Sequence, residues 1–147
     1  MRRVFCVTSV CALSLFFPAI AADNSHPDFS GKWELLKEKS DFGKMPQPVS
    51  MTLVSEKKDG YLHSVETTQT PDGEQVAEGD WYPDGKRHDY AKPVQGYSVT
   101  HWDGNSLVTE RKSNDGTYHQ TVKLTMQANG KEAVEPVTSH TASGDNR

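Results

Sequence analysis

Six histidines, His26, His63, His88, His101, His119 and His140, all follow the first 21 residues. His63 alternates with Tyr61 and Val65, and His101 with Tyr97 and Val99, so in extended segments each shares an apolar face. Facing inward from separate strands and joined by a carboxylate, such a pair could bind zinc. No short-range ligand spacing prepares that site, and no metal is assigned. Acids at Glu66, Glu74, Glu78, Asp80, Asp89 and Glu110 could pair across a cleft for glycoside hydrolysis, or form the solvated face of antiparallel strands. The sequence has no G-x-S-x-G elbow, no H-E-x-x-H, no EF-hand loop and no phosphate-binding G-x-x-x-x-G-K-[ST]. Both cysteines, Cys6 and Cys11, lie in the first 21 residues. No catalytic residue is assigned, and the balance leans away from an enzyme.

Aromatic side chains carry more information. Trp33, Trp81, Trp102, Tyr61, Tyr82, Tyr97 and Tyr118 fall in segments that alternate like strands, and no isoleucine follows Ile20. Aromatics must therefore supply much of the core, at roughly 150–250 Å² each. They could equally wall a pocket in which a few polar groups orient a ligand. Gln120 interrupts the apolar stripe Tyr118, Val122, Leu124, Met126, while His63 and His101 sit beside tyrosines. The expected ligand-binding set is Trp33, Leu35, Met51, Leu53, His63, Tyr97, His101, Tyr118 and Gln120, lining a lumen for a small amphipathic or apolar molecule. No cofactor is assigned.

The elements that must position these residues are written in turns. Asp-Gly occurs at 59–60, 72–73, 84–85, 103–104 and 115–116, and Asn129-Gly130 adds a sixth pair. Such pairs favour tight hairpins because both residues tolerate positive φ. Strands are predicted near 31–38, 50–58, 61–69, 74–82, 86–90, 97–102, 106–112, 117–127 and 131–138, and no helical period follows the N-terminus. The expected fold is all-β, an antiparallel up-and-down meander of 8–9 strands closed as a barrel; a β-sandwich or an open curled sheet is the alternative. Residues 22–28 form a lead, 29–138 the domain, and 139–147, rich in Ser and Gly, a disordered tail.

Residues 1–21 read as a cleaved signal peptide: Met1-Arg2-Arg3, then an apolar run to Phe17, then Pro18 before Ala19-Ile20-Ala21. The chain is expected to be exported, to the periplasm or the medium. The remainder carries 14 Lys+Arg against 20 Asp+Glu with no basic block, which argues against nucleic acid as a partner. It has no apolar run long enough for a membrane span. A monomer is expected.

Phe29-Ser30-Gly31-Lys32-Trp33-Glu34-Leu35, Lys39-Ser40-Asp41-Phe42-Gly43, Met51-Thr52-Leu53 and Trp102-Asp103-Gly104-Asn105-Ser106-Leu107-Val108 together resemble small exported bacterial lipocalin-like proteins, a mostly uncharacterised group, over about residues 28–128. Gly31-x-Trp33 is similar to the lipocalin entry motif, in which the tryptophan plugs the closed end of the barrel. The arginine that follows the last strand in lipocalins is missing from Lys131–Thr138, leaving Arg111 to stack on Trp33. The lipocalin C-terminal helix is missing too, as is the helix pair of intracellular fatty-acid carriers. The expected function is an exported binding module for a small, partly apolar ligand. The alternative is a filled module that acts through its surface on another protein, as an interaction partner or inhibitor.

Overall fold

Each Asp-Gly pair turns the chain. Gly60 and Gly104, at φ 83° and 58°, adopt the left-handed backbone that a side chain would resist. The computed structural model describes residues 26–92 and 94–141, together with the backbone of 3–6 and 144–146. Its strands are β1 (Arg3–Cys6), β2 (Gly31–Leu35), β3 (Ser50–Lys57), β4 (Leu62–Thr70), β5 (Gly73–Trp81), β6 (Arg87–Tyr90), β7 (Gly96–Asp103), β8 (Ser106–Ser113), β9 (Tyr118–Met126), β10 (Glu132–Val134), β11 (Val137–Thr141) and β12 (Gly144–Asn146). One 3₁₀ turn, Lys37–Lys39, follows β2. The fold is all-β and dominated by antiparallel pairs. Among the described residues no helix is long and apolar enough to cross a membrane.

The main ladder runs β5-β4-β3-β2-β1-β10-β9-β8-β7-β6. Two features depart from a simple meander. The first is β1, which lies between β2 and β10 and is parallel to both. The remaining segment expected as the leader, including Ala19–Ala21, lies outside the described residues. The second is the end of the ladder: β5 and β6 are not hydrogen-bonded to each other, so no closed barrel forms. The linking turn accounts for this. Asp84 N donates to Tyr82 O and Gly85 N donates to Thr100 O, so β6 starts against β7 rather than folding back on β5.

β10 and β11 are one strand interrupted by a proline. Ala133 pairs with Met126 and Val137 with Val122, so the register runs on unchanged across the break. Pro136 has no N–H to give the ladder, although its carbonyl still accepts from Lys123 N at 3.2 Å. β11 then pairs with β9 as far as Thr141, and β12 pairs with β11. The sheet thus extends beyond residue 138, where the sequence alone places the start of the tail.

The sheet curls so that side chains from distant strands meet over one face. Phe29, Trp33, Leu107, Leu124 and Ala133 form its buried core, with Leu35, Met51, Leu53, Leu62, Trp81, Trp102 and Met126 packed around them. Two hydroxyl pairs are buried on the same face: Ser55–Ser64 at 2.9 Å and Thr100–Thr109 at 2.8 Å. Each satisfies its partner across neighbouring strands, so neither hydroxyl is left without a hydrogen bond by burial.

Candidate functional site

Register decides which expected residues reach the inner face. Trp33 opposes Leu53, which opposes Glu66; Met51 opposes Thr68. Trp33 is 2% exposed, and its Nε1 donates to Phe29 O at 2.9 Å. Leu35, two residues on, packs with Met51 and Leu53 against the same core. From β9, Val122 opposes the buried Thr109 and Gln120 opposes Arg111, so Tyr118, Gln120 and Val122 share that face. Six of the nine expected ligand-binding residues, Trp33, Leu35, Met51, Leu53, Tyr118 and Gln120, therefore share the inner face, but none of the nine lines the cleft at its end.

His63, Tyr97 and His101 do not. On β7 the inward residues are Ser98, Thr100 and Trp102, because Thr100 opposes Thr109 and Trp102 opposes Leu107. Tyr97 and His101 consequently point outward, as does Val99. Tyr97 lies under Arg87, whose Cζ stands 4.2 Å from the ring centroid. On β4 the inward residues are Leu62, Ser64 and Glu66, and His63 faces out. There His63 Nδ1 is 2.7 Å from Asp80 Oδ1, and Nε2 is 3.3 Å from Glu78 Oε1. The error has a physical origin. On β7 the apolar Tyr97 and Val99 face out, while the inner positions beside Trp102 hold the small Ser98 and the buried Thr100.

At one end the inner face opens into a cleft of about 380 Å³. Phe29, Leu62, Trp81, Trp102 and Leu107 supply its apolar wall, and Lys57, Lys58 and Asp28 lie at its edge. Lys58 is held by Glu56 at 2.7 Å. His26 stacks flat on Trp102, with ring centroids 4.2 Å apart. Tyr61, Tyr82 and His88 form a ring column at 4.9 and 4.1 Å that ties the β3–β4 turn to β6. Trp81 gives a ring to this wall, while its Nε1 is buried out of reach of solvent and donates to nothing among the described residues. A buried donor without an acceptor is costly.

Deeper on the face lies a charged group that the sequence did not assemble. Arg111 extends from β8 to β5, its Cζ 4.8 Å from the Trp81 ring centroid. It stacks on Trp81 and not on Trp33. Glu66 comes from β4. Glu135, at the break between β10 and β11, falls opposite Leu124 in the continuing register and so points inward. Glu135 is half-buried, and partial loss of solvent pushes its carboxyl up to about 8; the Glu66 charge adds to the rise, and Arg111 opposes it. Tyr118 and Tyr90 hydroxyls are also raised, by burial first, with Arg111 pulling the other way.

Among the described residues no cluster of three or more His, Cys, Asp or Glu could hold a metal ion. Trp81 and Glu66 were visible as an aromatic and an acid in predicted strands, and their inward direction follows from pairing alone. Glu135 carried no local signal, since Pro136 marks its segment as a weak strand end. The site is thus an aromatic cleft, with Arg111 stacked on the Trp81 ring of its wall. No protein-family model matches this chain, and neither a curated protein nor a solved structure matches it.

Proposed function

We propose that this chain is an exported, non-enzymatic binding module for a small, partly apolar ligand held against the inner face of its curled sheet. We further propose that it is lipocalin-like, a barrel with one seam between β5 and β6 and, once cleavage removes β1, a second where β2 and β10 must meet. The observation that carries the reading is the cleft: an aromatic wall of ligand-sized volume at the end of the inner face. The charge pattern and the N-terminal Arg-Arg, apolar run and Ala-Ile-Ala support export.

The test is native mass spectrometry of the protein purified from the cells that express it, followed by titration with the neutral fluorescent probe N-phenyl-1-naphthylamine. A discrete adduct lost on denaturation, or saturable probe binding that Trp81→Ala abolishes, is expected. No adduct together with no saturable binding of any apolar or amphipathic compound would sink the reading. An N-terminus at Ala22 in the purified protein is the expected sign of export.

A second reading, a module acting through its surface on another protein, draws on a different feature. β5 ends the ladder, its residues 73–78 are exposed, and Val76 is 62% exposed on its outer face. Such an edge can accept a further strand. A stable complex lost on Val76→Lys, in a protein that binds no small molecule, would favour it.

A further inference from the structure

Among the described strands, β1 alone pairs parallel to its neighbours. Its backbone fills the gap between the first and last strands of the meander. Val4 stands beside Glu34 of β2 and Glu132 of β10, and Phe5 beside Leu35 and Ala133. β2 and β10 therefore run in the same direction, two strand spacings or about 9.5 Å apart. Contacts already cross that gap on both faces of the sheet. On the outer face Lys39, just after β2, reaches Glu132 of β10, with Nζ 3.3 Å from Oε1. On the inner face Trp33 of β2 and Ala133 of β10 belong to one buried cluster, and Leu35 packs against it.

Residues 3–6 fall in the segment read above as a leader that ends at Ala21. Its removal takes away every pair that β1 makes and leaves β2 and β10 as two facing edges with unpaired N–H and C=O groups. Such edges pair with water, with a strand of another molecule or with each other. The geometry favours the last. Both edges already run parallel, so neither must reverse, and a movement of one strand spacing, about 4.8 Å, closes the gap. The inner faces fix the register, because a slip of one residue would turn Trp33 out of the core. Glu34 then lies beside Glu132, and Leu35 beside Ala133. Two neighbouring glutamates repel, but each has a lysine at hand: Lys32 Nζ is 3.7 Å from Glu34 Oε1, and Lys39 holds Glu132.

We propose that residues 3–6 are an autoinhibitory strand: in the uncleaved chain they hold β2 and β10 apart, and cleavage after Ala21 lets these two strands pair and close that seam. The proposal rests on the export reading above. The cleavage is hydrolysis of the Ala21–Ala22 peptide bond by a leader peptidase, with water as the second reactant. The closing movement itself forms only backbone hydrogen bonds. The chain is thus kept from completing its sheet until the leader has served its purpose, and closure at this seam belongs to the cleaved form alone.

A pair of cysteines reads the gap. No cysteine follows residue 21, so Glu34→Cys with Glu132→Cys gives the cleaved chain its only thiols; in the full chain Cys6→Ser and Cys11→Ser remove the natural ones. The full chain is made by cell-free synthesis without membranes, the cleaved chain is purified after export, and both are reduced and sequenced from the N-terminus. A disulfide needs Cα atoms about 4.4–6.8 Å apart, which directly paired strands offer and strands separated by a third do not. Under mild oxidation the intramolecular disulfide is expected to form at least about tenfold faster in the cleaved chain than in the full chain. Lys32→Cys with Glu132→Cys, two residues out of register, should stay reduced in both. Hydrogen exchange of the unsubstituted protein should find residues 31–35 and 132–134 protected in the cleaved monomer. Equal disulfide rates in the two forms, fast exchange of both edges in a cleaved monomer, protection that appears only in a dimer, or a full chain without the circular dichroism of a β-sheet would each overturn the proposal. A protein that leaves its cells still beginning at Met1 would remove the export reading itself, whereas an Ala22 start with the gap still open sinks only the closure.

Discussion

The Arg111 guanidinium lies over the Trp81 indole, 4.8 Å from its centroid, and so joins β8 to β5 across the inner face although these strands share no hydrogen bond. The missing side chain at Gly79 gives the guanidinium its room.

Protonation of Glu135 gives stability a pH dependence with a definite sign. An acid whose folded pKa stands above its unfolded value holds a proton that the unfolded chain gives up. The stability it contributes is complete below the ordinary carboxylate range and falls as pH rises toward about 8 for Glu135. The slope in that window is roughly 1.4 kcal/mol per pH unit at most. Asp115, held down to about 2 by Ser113 and Thr117 hydrogen bonds, acts only at lower pH, and its contribution is lost as pH falls. Urea midpoints of the parent protein should decline between pH 6 and pH 8. Those of Glu135→Gln should stay level and exceed the parent's at pH 8; parallel curves would contradict the burial of this acid.

Trp33 is the largest fully buried side chain, and its indole N–H closes on the Phe29 carbonyl. Trp33→Ala should cost about 3–5 kcal/mol in equilibrium unfolding, from lost area and the cavity left behind. Trp33→Phe keeps much of the area but strands that carbonyl, and should cost about 1–3 kcal/mol.

Gly96 faces inward at the start of β7, where an added Cβ would run into the Lys112 carbonyl and lie 2.7 Å from the Tyr90 hydroxyl. Gly96→Ala should destabilise by about 1–3 kcal/mol through overpacking. Adding Tyr90→Phe should not restore thermal stability, because the backbone carbonyl remains in the way.

The two faces of the sheet should separate in binding assays. His63→Ala, Tyr97→Ala and His101→Ala alter the outer surface and are expected to leave naphthylamine affinity within about twofold of the parent. Trp81→Ala and Trp102→Ala remove cleft wall and should weaken it about tenfold or more. Fluorescence titration of the five variants decides this, and a loss at His63 or His101 would move the site to the other face.

Strand positions were legible in the sequence because they depend on short-range chemistry. Asp-Gly turns and two-residue alternation place β3 to β9 within a residue or two of where they stand. The fold class, the buried Trp33 and the inward stripe Tyr118–Gln120–Val122 follow from the same local signals. Tertiary structure decided the rest, because a strand's two faces are equivalent until a partner is chosen. On β7, pairing of Thr100 with Thr109 sends Ser98 and Trp102 inward and turns Tyr97 and His101 out, against the apolar weight of the stripe. The ladder stops between β5 and β6 because the turn at Asp84–Gly85 bonds to Thr100. Glu135 faces inward only because a register running unbroken past Pro136 carries it there, opposite Leu124. Burial and neighbouring charge are properties of that assembly, and no local pattern of residues encodes them.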